Sequence, residues 1–423
     1  MVFLFEDAKL EPDKKYYHYF IIMTDLKNCR ICGSENLTNV FDLGDQVLAS
    51  RFPLRDDPDP LAAPLVLCKC EGECGLIQLR HTVAASEMYT DNYGYRSGLN
   101  EMMRAHLKMI VDDLYSYSVP TSGDVALDIG SNDGTLLSYH SPDITRIGID
   151  PTGEQFRQYY EPGIRLEPDF FTCESYNRVT DQKAKYVTSI SMFYDLPRPL
   201  EFMKDVARVL ASDGIWIMEQ SYLPTMIERT SYDTVCHEHL EYYAFAQIEW
   251  MCARANLRVL DVKLNDCNGG SFRVIIGHAD SAYASNTEAI DAIKMHDSVN
   301  FDNFVKACED HRTNLVELLR SLKAKGKTIS LYGASTKGNT LLQYCNIGTD
   351  LIDNAAERNP LKYGCRTPKT NIPIVSESEV RALNPDYLLV LPWHFREGIV
   401  KREAEYIARG GKLIFPLPCV EII

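Results

Sequence analysis

No run of about 18 apolar residues occurs in this 423-residue chain, so no membrane-spanning helix is expected. Basic charge is scarce as well. Lys and Arg number 44 against 59 Asp and Glu, a net charge of −15. Phosphate backbones are gripped by a basic stripe, so no nucleic-acid partner is expected. Residues 1–25 mix charges with aromatics and lack both a signal-peptide core and a cleavage site. The dinucleotide fingerprint G-x-G-x-x-G is absent, as is the P-loop run G-x-x-x-x-G-K followed by Ser or Thr, and so is the zincin H-E-x-x-H. Low-complexity tracts and internal repeats are missing too.

What is present is an ordinary globular composition, 45% hydrophobic and 24% charged, long enough for two or three domains. Thirteen cysteines without a secretory signal read as thiols and metal ligands in a reducing cytosol, hence a cytoplasmic location. Cys29-Arg-Ile-Cys32-Gly and Cys70-Glu-Gly-Glu-Cys74-Gly are two short-spaced pairs suited to a tetrahedral four-thiolate zinc site. Four thiolates leave no open position, so the metal would be structural. Cys68 competes with Cys70, at a poorer spacing.

The most informative stretch is Val-Ala-Leu-Asp128-Ile-Gly130-Ser-Asn132-Asp-Gly134-Thr, followed by Ile147-Gly-Ile-Asp150. An apolar run ending in a carboxylate reads as a buried parallel strand, and the glycines let the chain turn tightly against a ligand. Asp150, closing the next apolar run, could accept both hydroxyls of a ribose. D-x-G-x-x-x-G without a lysine suits a nucleoside that carries no phosphate, and S-adenosylmethionine fits.

Three further segments carry titratable groups. Cys236-His237-Glu238-His239-Leu-Glu241-Tyr242-Tyr243 offers an imidazole base beside a carboxylate. In an extended segment His237 and His239 would share a face; in a helix they would not. Gly333-Ala-Ser335-Thr336-Lys337-Gly338-Asn339, between a strand and a helix, resembles an anion cradle for a diphosphate. Asp91-Asn-Tyr93-Gly-Tyr95-Arg96-Ser97 either caps a substrate or packs between domains.

The pattern divides the chain into a lead-in (1–26), a zinc-binding domain (27–85), a cofactor-binding domain (86–282) and a C-terminal α/β domain (283–423). Helix is expected from Ser97 to about Tyr117. Central strands are expected at 125–129, 146–149, 186–190 and 214–218, with a hairpin of 257–264 and 271–276 around Asn268-Gly269-Gly270. A helix over 283–325 ends at Gly326. C-terminal pieces follow at 328–332, a helix from Asn339, Leu351, then 373–375, 387–391 and 412–415.

Taken together, these motifs resemble the nucleotide-sugar C-methyltransferase family acting on 4-keto-deoxyhexoses. Its other marks here are Pro64-Leu-x-Leu-x-x-Cys70, Cys74-Gly-Leu-Ile-Gln-Leu79, Tyr93-x-Tyr95-Arg-Ser97-Gly, Asp169-Phe170-Phe171 and Asn268-Gly-Gly-Ser271. The resemblance implies an α/β protein: an N-terminal zinc-binding domain, a central class I methyltransferase Rossmann-like domain and a second, C-terminal Rossmann-like domain. It implies His239 as the base acting at C3 of the sugar, with Glu238 and His237 adjoining and Tyr93 or Tyr95 near the substrate. Asp128, Gly130, Asn132, Gly134, Asp150, Asp169 and Phe170 would line S-adenosylmethionine. Tyr242 and the Gly333–Asn339 turn, through Ser335, Thr336 and Lys337, would face a nucleoside-diphosphate sugar. The assembly expected is a monomer or small homo-oligomer. Where the family commonly has a tyrosine before His-Glu-His, this chain has Cys236. Where the family has a histidine after the fourth strand, it reads Ser191-Met-Phe-Tyr194-Asp195. Sugar O-methylation and a non-catalytic zinc-ribbon adaptor are the competing readings.

Overall fold

The computed structural model describes residues 23–88 and 96–423. Its centre is a seven-stranded sheet in the order Ile164–Glu167, Thr145–Ile149, Val125–Ile129, Ala184–Ile190, Leu210–Ser221, Ser271–His278, Leu257–Asn265. The first five are mutually parallel, and Ser271–His278 runs antiparallel to both its neighbours. This is the class I methyltransferase arrangement. Every residue of Val125–Ile129 is buried, as expected of a parallel strand covered on both faces. The crevice at the topological switch lies between Val125–Ile129 and Ala184–Ile190, where α/β sheets bind ligands. The expected central strands are found within one or two residues, apart from 214–218, which lies inside the longer Leu210–Ser221. Ile164–Glu167 was not expected: a short, half-exposed edge strand has no apolar run to announce it.

Glu101–Tyr117 is a helix whose first turn is capped by Asn100, its side chain accepting from Met102 N at 3.0 Å. Met103, Leu107, Ile110, Val111 and Leu114 turn one face inward. The expected single helix over 283–325 is two, Thr287–His296 and Phe301–Ala324. Asn300, in an extended conformation, breaks it and accepts from Asn303 N at 3.0 Å. An N-cap there is worth about 1 kcal/mol.

The C-terminal sheet runs Ile374–Ser376, Ala355–Glu357, Ile329–Tyr332, Tyr387–Val390, Lys412–Phe415, all parallel, with Glu421–Ile422 added antiparallel. Leu351 lies in a turn before Ala355–Glu357. The helix expected from Asn339 begins at Thr336, because Ser335 caps it through Gly338 N at 3.1 Å.

A third sheet is antiparallel: Leu37–Val47, Ala62–Cys70, Ile77–Leu79 and, from far along the chain, Glu241–Tyr242. Its Phe41 stacks edge-on against Phe304 and Tyr344, at 5.7 and 5.8 Å. Gln343 joins the same junction by bonding both the amide and the carbonyl of Val47, at 2.8 and 3.0 Å. The cysteine end of this sheet packs instead into the core of the central domain, beside Phe245 and Ile248. Among the described residues no helix is long and apolar enough to cross a membrane.

Candidate active site

Cys29, Cys32, Cys70 and Cys74 bring their sulfurs within 4.8 Å of one another. Cys29–Cys74 is 3.5 Å, while Cys32–Cys70 and Cys32–Cys74 are 3.4 Å. Such separations are too long for disulfides, and all four are free cysteines. Zinc–sulfur bonds of about 2.3 Å arranged tetrahedrally put the sulfurs about 3.8 Å apart. The donor set therefore fits structural zinc, with all four positions filled by thiolates. Cys68, though buried, stands outside the cluster.

At the switch point the Asp128 carboxyl is 4% exposed and accepts the Thr188 hydroxyl at 2.6 Å, across to the fourth strand. Burial, with Asp150 adding and Thr188 opposing, pushes it up to about 7. Gly130 turns at φ 74°, a conformation that favours glycine, and a Cβ there would come within 3.1 Å of Met192 Cγ. Gly134 also has positive φ, 74°, and backs onto the Tyr160 ring. Asp150 braces the loop: Oδ2 accepts Asn132 N at 2.7 Å, and Oδ1 accepts Thr152 N and Oγ1 at 2.7 and 2.6 Å. A carboxylate has about four acceptor sites, so three are filled. Taking both hydroxyls of a ribose would require the Thr152 hydroxyl to let go.

Around this loop the structure adds Tyr160, which carried no local signal, and brings in the Arg96–Gly98 stretch that the sequence had singled out. Tyr160 bonds Ser131 Oγ and Asn132 O at 2.8 and 2.9 Å. Ser97 N and Gly98 N reach Asn132 Oδ1 and Asp133 Oδ2, both at 3.0 Å. Arg96 lies 3.4 Å over the Tyr159 ring. Asp169 sits on the rim, ion-paired with Arg178 at 2.5 Å, beside Phe170, which is 55% exposed. Tyr93 and Tyr95 lie outside the described residues. His106, Glu219 and Cys267 also gather within 4.8 Å. There the Glu219 carboxylate is satisfied by His106, by Arg273 at 2.8 Å and by Asn265 at 3.0 Å, an internal ion cluster.

The His-Glu-His segment is a turn, closed by His239 N to Cys236 O at 3.2 Å. It is neither strand nor helix, and its two imidazoles part. His237 bonds Ala63 O at 3.1 Å through Nε2 and anchors the turn to the N-terminal sheet. His239 Nδ1 donates to Thr234 O at 2.7 Å. A carbonyl can only accept, so Nδ1 carries the proton and Nε2 keeps its lone pair. The His239 ring lies against Tyr194, centroids 4.1 Å apart. It shares a small pocket with Ser221, Leu223, Met226, Thr234, Glu241 and Tyr242. Burial, reinforced by the Lys337 charge and opposed by Glu238, holds its pKa down to about 4. Glu238 is 6% exposed, and neither oxygen has a hydrogen-bond partner. Burial raises the Cys236 thiol and the Tyr242 hydroxyl well above their usual values.

The C-terminal unit reaches this pocket as well. Lys337 Nζ donates to Asn268 O at 2.6 Å, and Asn268 Nδ2 to Ser191 Oγ at 3.3 Å, above the end of the fourth strand. Trp393 Nε1 donates to buried Asp233 at 2.8 Å. Burial, with Lys337 adding, lowers His394 to about 3. The Gly333–Asn339 turn is largely engaged by protein. Ser335 caps its helix, Asn339 bonds Ala49 O at 2.6 Å, and Glu357 takes the amide of Ala334 at 3.0 Å. A diphosphate on that amide would have to displace a carboxylate. Thr336 and Lys337 are half-buried, and the Lys337 charge is felt at His239.

The fold and this crevice define an S-adenosylmethionine-dependent methyltransferase. Three family models match in order: a putative zinc binding domain over 29–89, a methyltransferase domain over 103–262, and a C-methyltransferase C-terminal domain over 266–418. The chain is 28% identical to the C-methyltransferase NovU of Streptomyces niveus, over 95% of this chain and 98% of that one. Among solved structures it is similar to the putative methyltransferase in complex with the Trm112 activator of Haloferax volcanii. That match has 14% identity and a TM-score of 0.34, covering 43% of this chain and 94% of that one. It is similar too to an S-adenosylmethionine-dependent methyltransferase of Clostridium acetobutylicum, at 14% identity and TM-score 0.32, over 41% and 90%. Together the three models span most of the chain, and what they and the relative share with it is methyl transfer behind an N-terminal zinc-binding domain.

Proposed function

We propose that the enzyme methylates C3 of a nucleoside-diphosphate-linked 4-keto-deoxyhexose through an enolate, in branched deoxysugar biosynthesis. The observation that carries this reading is the tautomer of His239, whose Nδ1–H is held by Thr234 O while Nε2 keeps a free pair beside Tyr194 and Tyr242. The sugar nucleotide itself comes from the family resemblance. A ketone at C4 acidifies the neighbouring C3–H. His239 Nε2 takes that proton, and the C–H pair delocalises onto the C4 oxygen, where a hydroxyl such as Tyr242 stabilises it. S-adenosylmethionine, when bound, supplies an electrophilic methyl on sulfur. The loop from Asp128 to Gly134 and Asp150 would hold it at the switch point, with Asp169 and Phe170 at the rim. Thr336 and Lys337 would take the diphosphate side of the substrate, with Gly333, Ser335 and Asn339 shaping the turn beneath. No step passes through the four-cysteine site.

The test is solvent exchange. In D2O without S-adenosylmethionine, the enzyme is expected to wash deuterium into the carbon beside the ketone, and NMR reads which one. Label at C3 supports the proposal. Label at C5, which the same ketone acidifies, moves the methylation site; no label points to O-methylation. A second expectation concerns the cofactor. Asp150→Ala removes an ionised acceptor and the brace on Asn132, so S-adenosylmethionine binding by calorimetry should weaken by about 10–100-fold. Unchanged affinity would remove Asp150 from the site.

A further inference from the structure

The cysteine knuckle and the base-bearing turn are joined by one buried side chain. Arg30 lies between Cys29 and Cys32, its side chain 2% exposed. Its Nη1 donates to Leu79 O at 2.8 Å, to Gln78 Oε1 at 3.3 Å and to Leu240 O at 3.5 Å, and Nη2 to Thr82 Oγ1 at 2.7 Å. Its Nε stands 3.5 Å from Glu241, a carboxyl with a completely buried side chain and no hydrogen-bond partner on either oxygen. Glu241 lines the same pocket as His239. The backbone repeats the connection, because Leu79 N donates to Leu240 O at 2.8 Å and Glu241 pairs with Gln78. Two residues before Leu240 and Glu241 stand Glu238 and His239, whose placement this clamp therefore sets.

We propose that Arg30 is a positioning residue: held by the four-cysteine knuckle, it fixes Glu241 and the 236–243 turn so that His239 faces the substrate. The proposal rests on the reading of His239 as base. It gives the thiolate cluster a task beyond holding its own domain together. A buried guanidinium with a planar fork can grip two carbonyls, an amide and a carboxyl at once, which an ammonium cannot. Loss of the guanidinium would also leave Glu241 as an uncompensated buried acid.

The experiment compares Arg30→Gln, Arg30→Lys, Glu241→Gln and the Arg30→Gln/Glu241→Gln double variant in the full, zinc-loaded chain. Arg30→Gln and Glu241→Gln are each expected to lower kcat roughly tenfold, while the double variant loses no more than the worse single one, as for residues in contact. KM, S-adenosylmethionine affinity and one zinc per chain should stay as in the wild type, and Arg30→Lys should recover part of the loss. Amide exchange should quicken in residues 236–243 of Arg30→Gln and stay slow in Leu37–Val47. Wild-type kcat in Glu241→Gln, losses that multiply in the double variant, or faster exchange throughout the N-terminal sheet would overturn the proposal. If Arg30→Gln does not fold, Glu241→Gln and its exchange pattern decide alone. The exchange readout is independent of the chemistry, so a failure of the base assignment would leave it standing.

Discussion

His239→Ala is expected to lower kcat by about 10²–10⁴-fold, the usual contribution of a positioned general base, while S-adenosylmethionine still binds as in the wild type. The argument is geometric first. Thr234 O fixes the tautomer at 2.7 Å, and Tyr194 holds the ring at a centroid distance of 4.1 Å, so alanine removes the proton acceptor without touching the cofactor loop. Electrostatics then gives the pH profile. The base must be neutral, and burial with the Lys337 charge holds its pKa down to about 4. The acid limb of kcat/KM, which reports the free enzyme, should therefore fall as pH drops through about 4, well below the 6.5 of a free imidazole. A diphosphate bound beside Lys337 neutralises the charge that opposes the imidazolium. The limb of kcat, which reports the substrate complex, should accordingly lie higher than that of kcat/KM, and Lys337→Met should raise the latter. Methyl transfer at the wild-type rate by His239→Ala would remove the residue from the role of base, and a kcat/KM limb at 6.5 or above would overturn the electrostatic account.

How far the sequence carried depended on whether a signal was local. The central strands were legible because a parallel strand covered on both faces must be apolar almost throughout, as Val125–Ile129 is, and because Asp128, Gly130 and Asp150 punctuate their ends. The four cysteines were legible from spacing alone, and the structure brings their sulfurs together. What pairs over long distances was not. Glu241–Tyr242 is two residues long and joins a sheet formed more than 160 positions earlier, so nothing nearby announces that the His-Glu-His turn is wired to the knuckle through Arg30. The division of labour between His237 and His239 is similarly set by partners, Ala63 O and Thr234 O, not by their own spacing. The anion-cradle pattern of Gly333–Asn339 misled in part because the group closing the next strand, Glu357, supplies its own negative charge to the turn. Tyr160, Thr188 and Trp393 carried no motif at all; each matters through side-chain bonds to residues far away in the chain.

Loss of the metal is expected to have the largest effect on the fold. Zinc content should be one per chain, and Cys74→Ser or prolonged chelation should abolish the folded N-terminal sheet. Structural zinc contributes about 10–16 kcal/mol of apparent binding energy in small zinc domains, comparable with the whole stability of a typical domain. The cysteine end of the sheet packs on the central domain through Ile31 and Leu76, but within the knuckle itself the ion is the main cross-link. Between the pairs lie the strands Leu37–Val47 and Ala62–Cys70, joined across a bulged register and a proline-rich connection. Removing the ion would also leave four sulfurs at 3.4–3.5 Å, close enough that thiolates repel. Because Glu241–Tyr242 is a strand of that same sheet, methyl transfer should disappear in the same step as the N-terminal fold. S-adenosylmethionine should still bind to the chelated chain, since Asp128, Gly130 and Asp150 sit on the other sheet. The control is Cys68→Ala: it removes a buried thiol two residues from a ligand, and should cost packing stability alone while zinc stays at one per chain. Zinc lost from Cys68→Ala and retained by Cys70→Ala would reassign the fourth ligand; a metal-free chain with full activity and an intact N-terminal sheet would remove the structural role altogether.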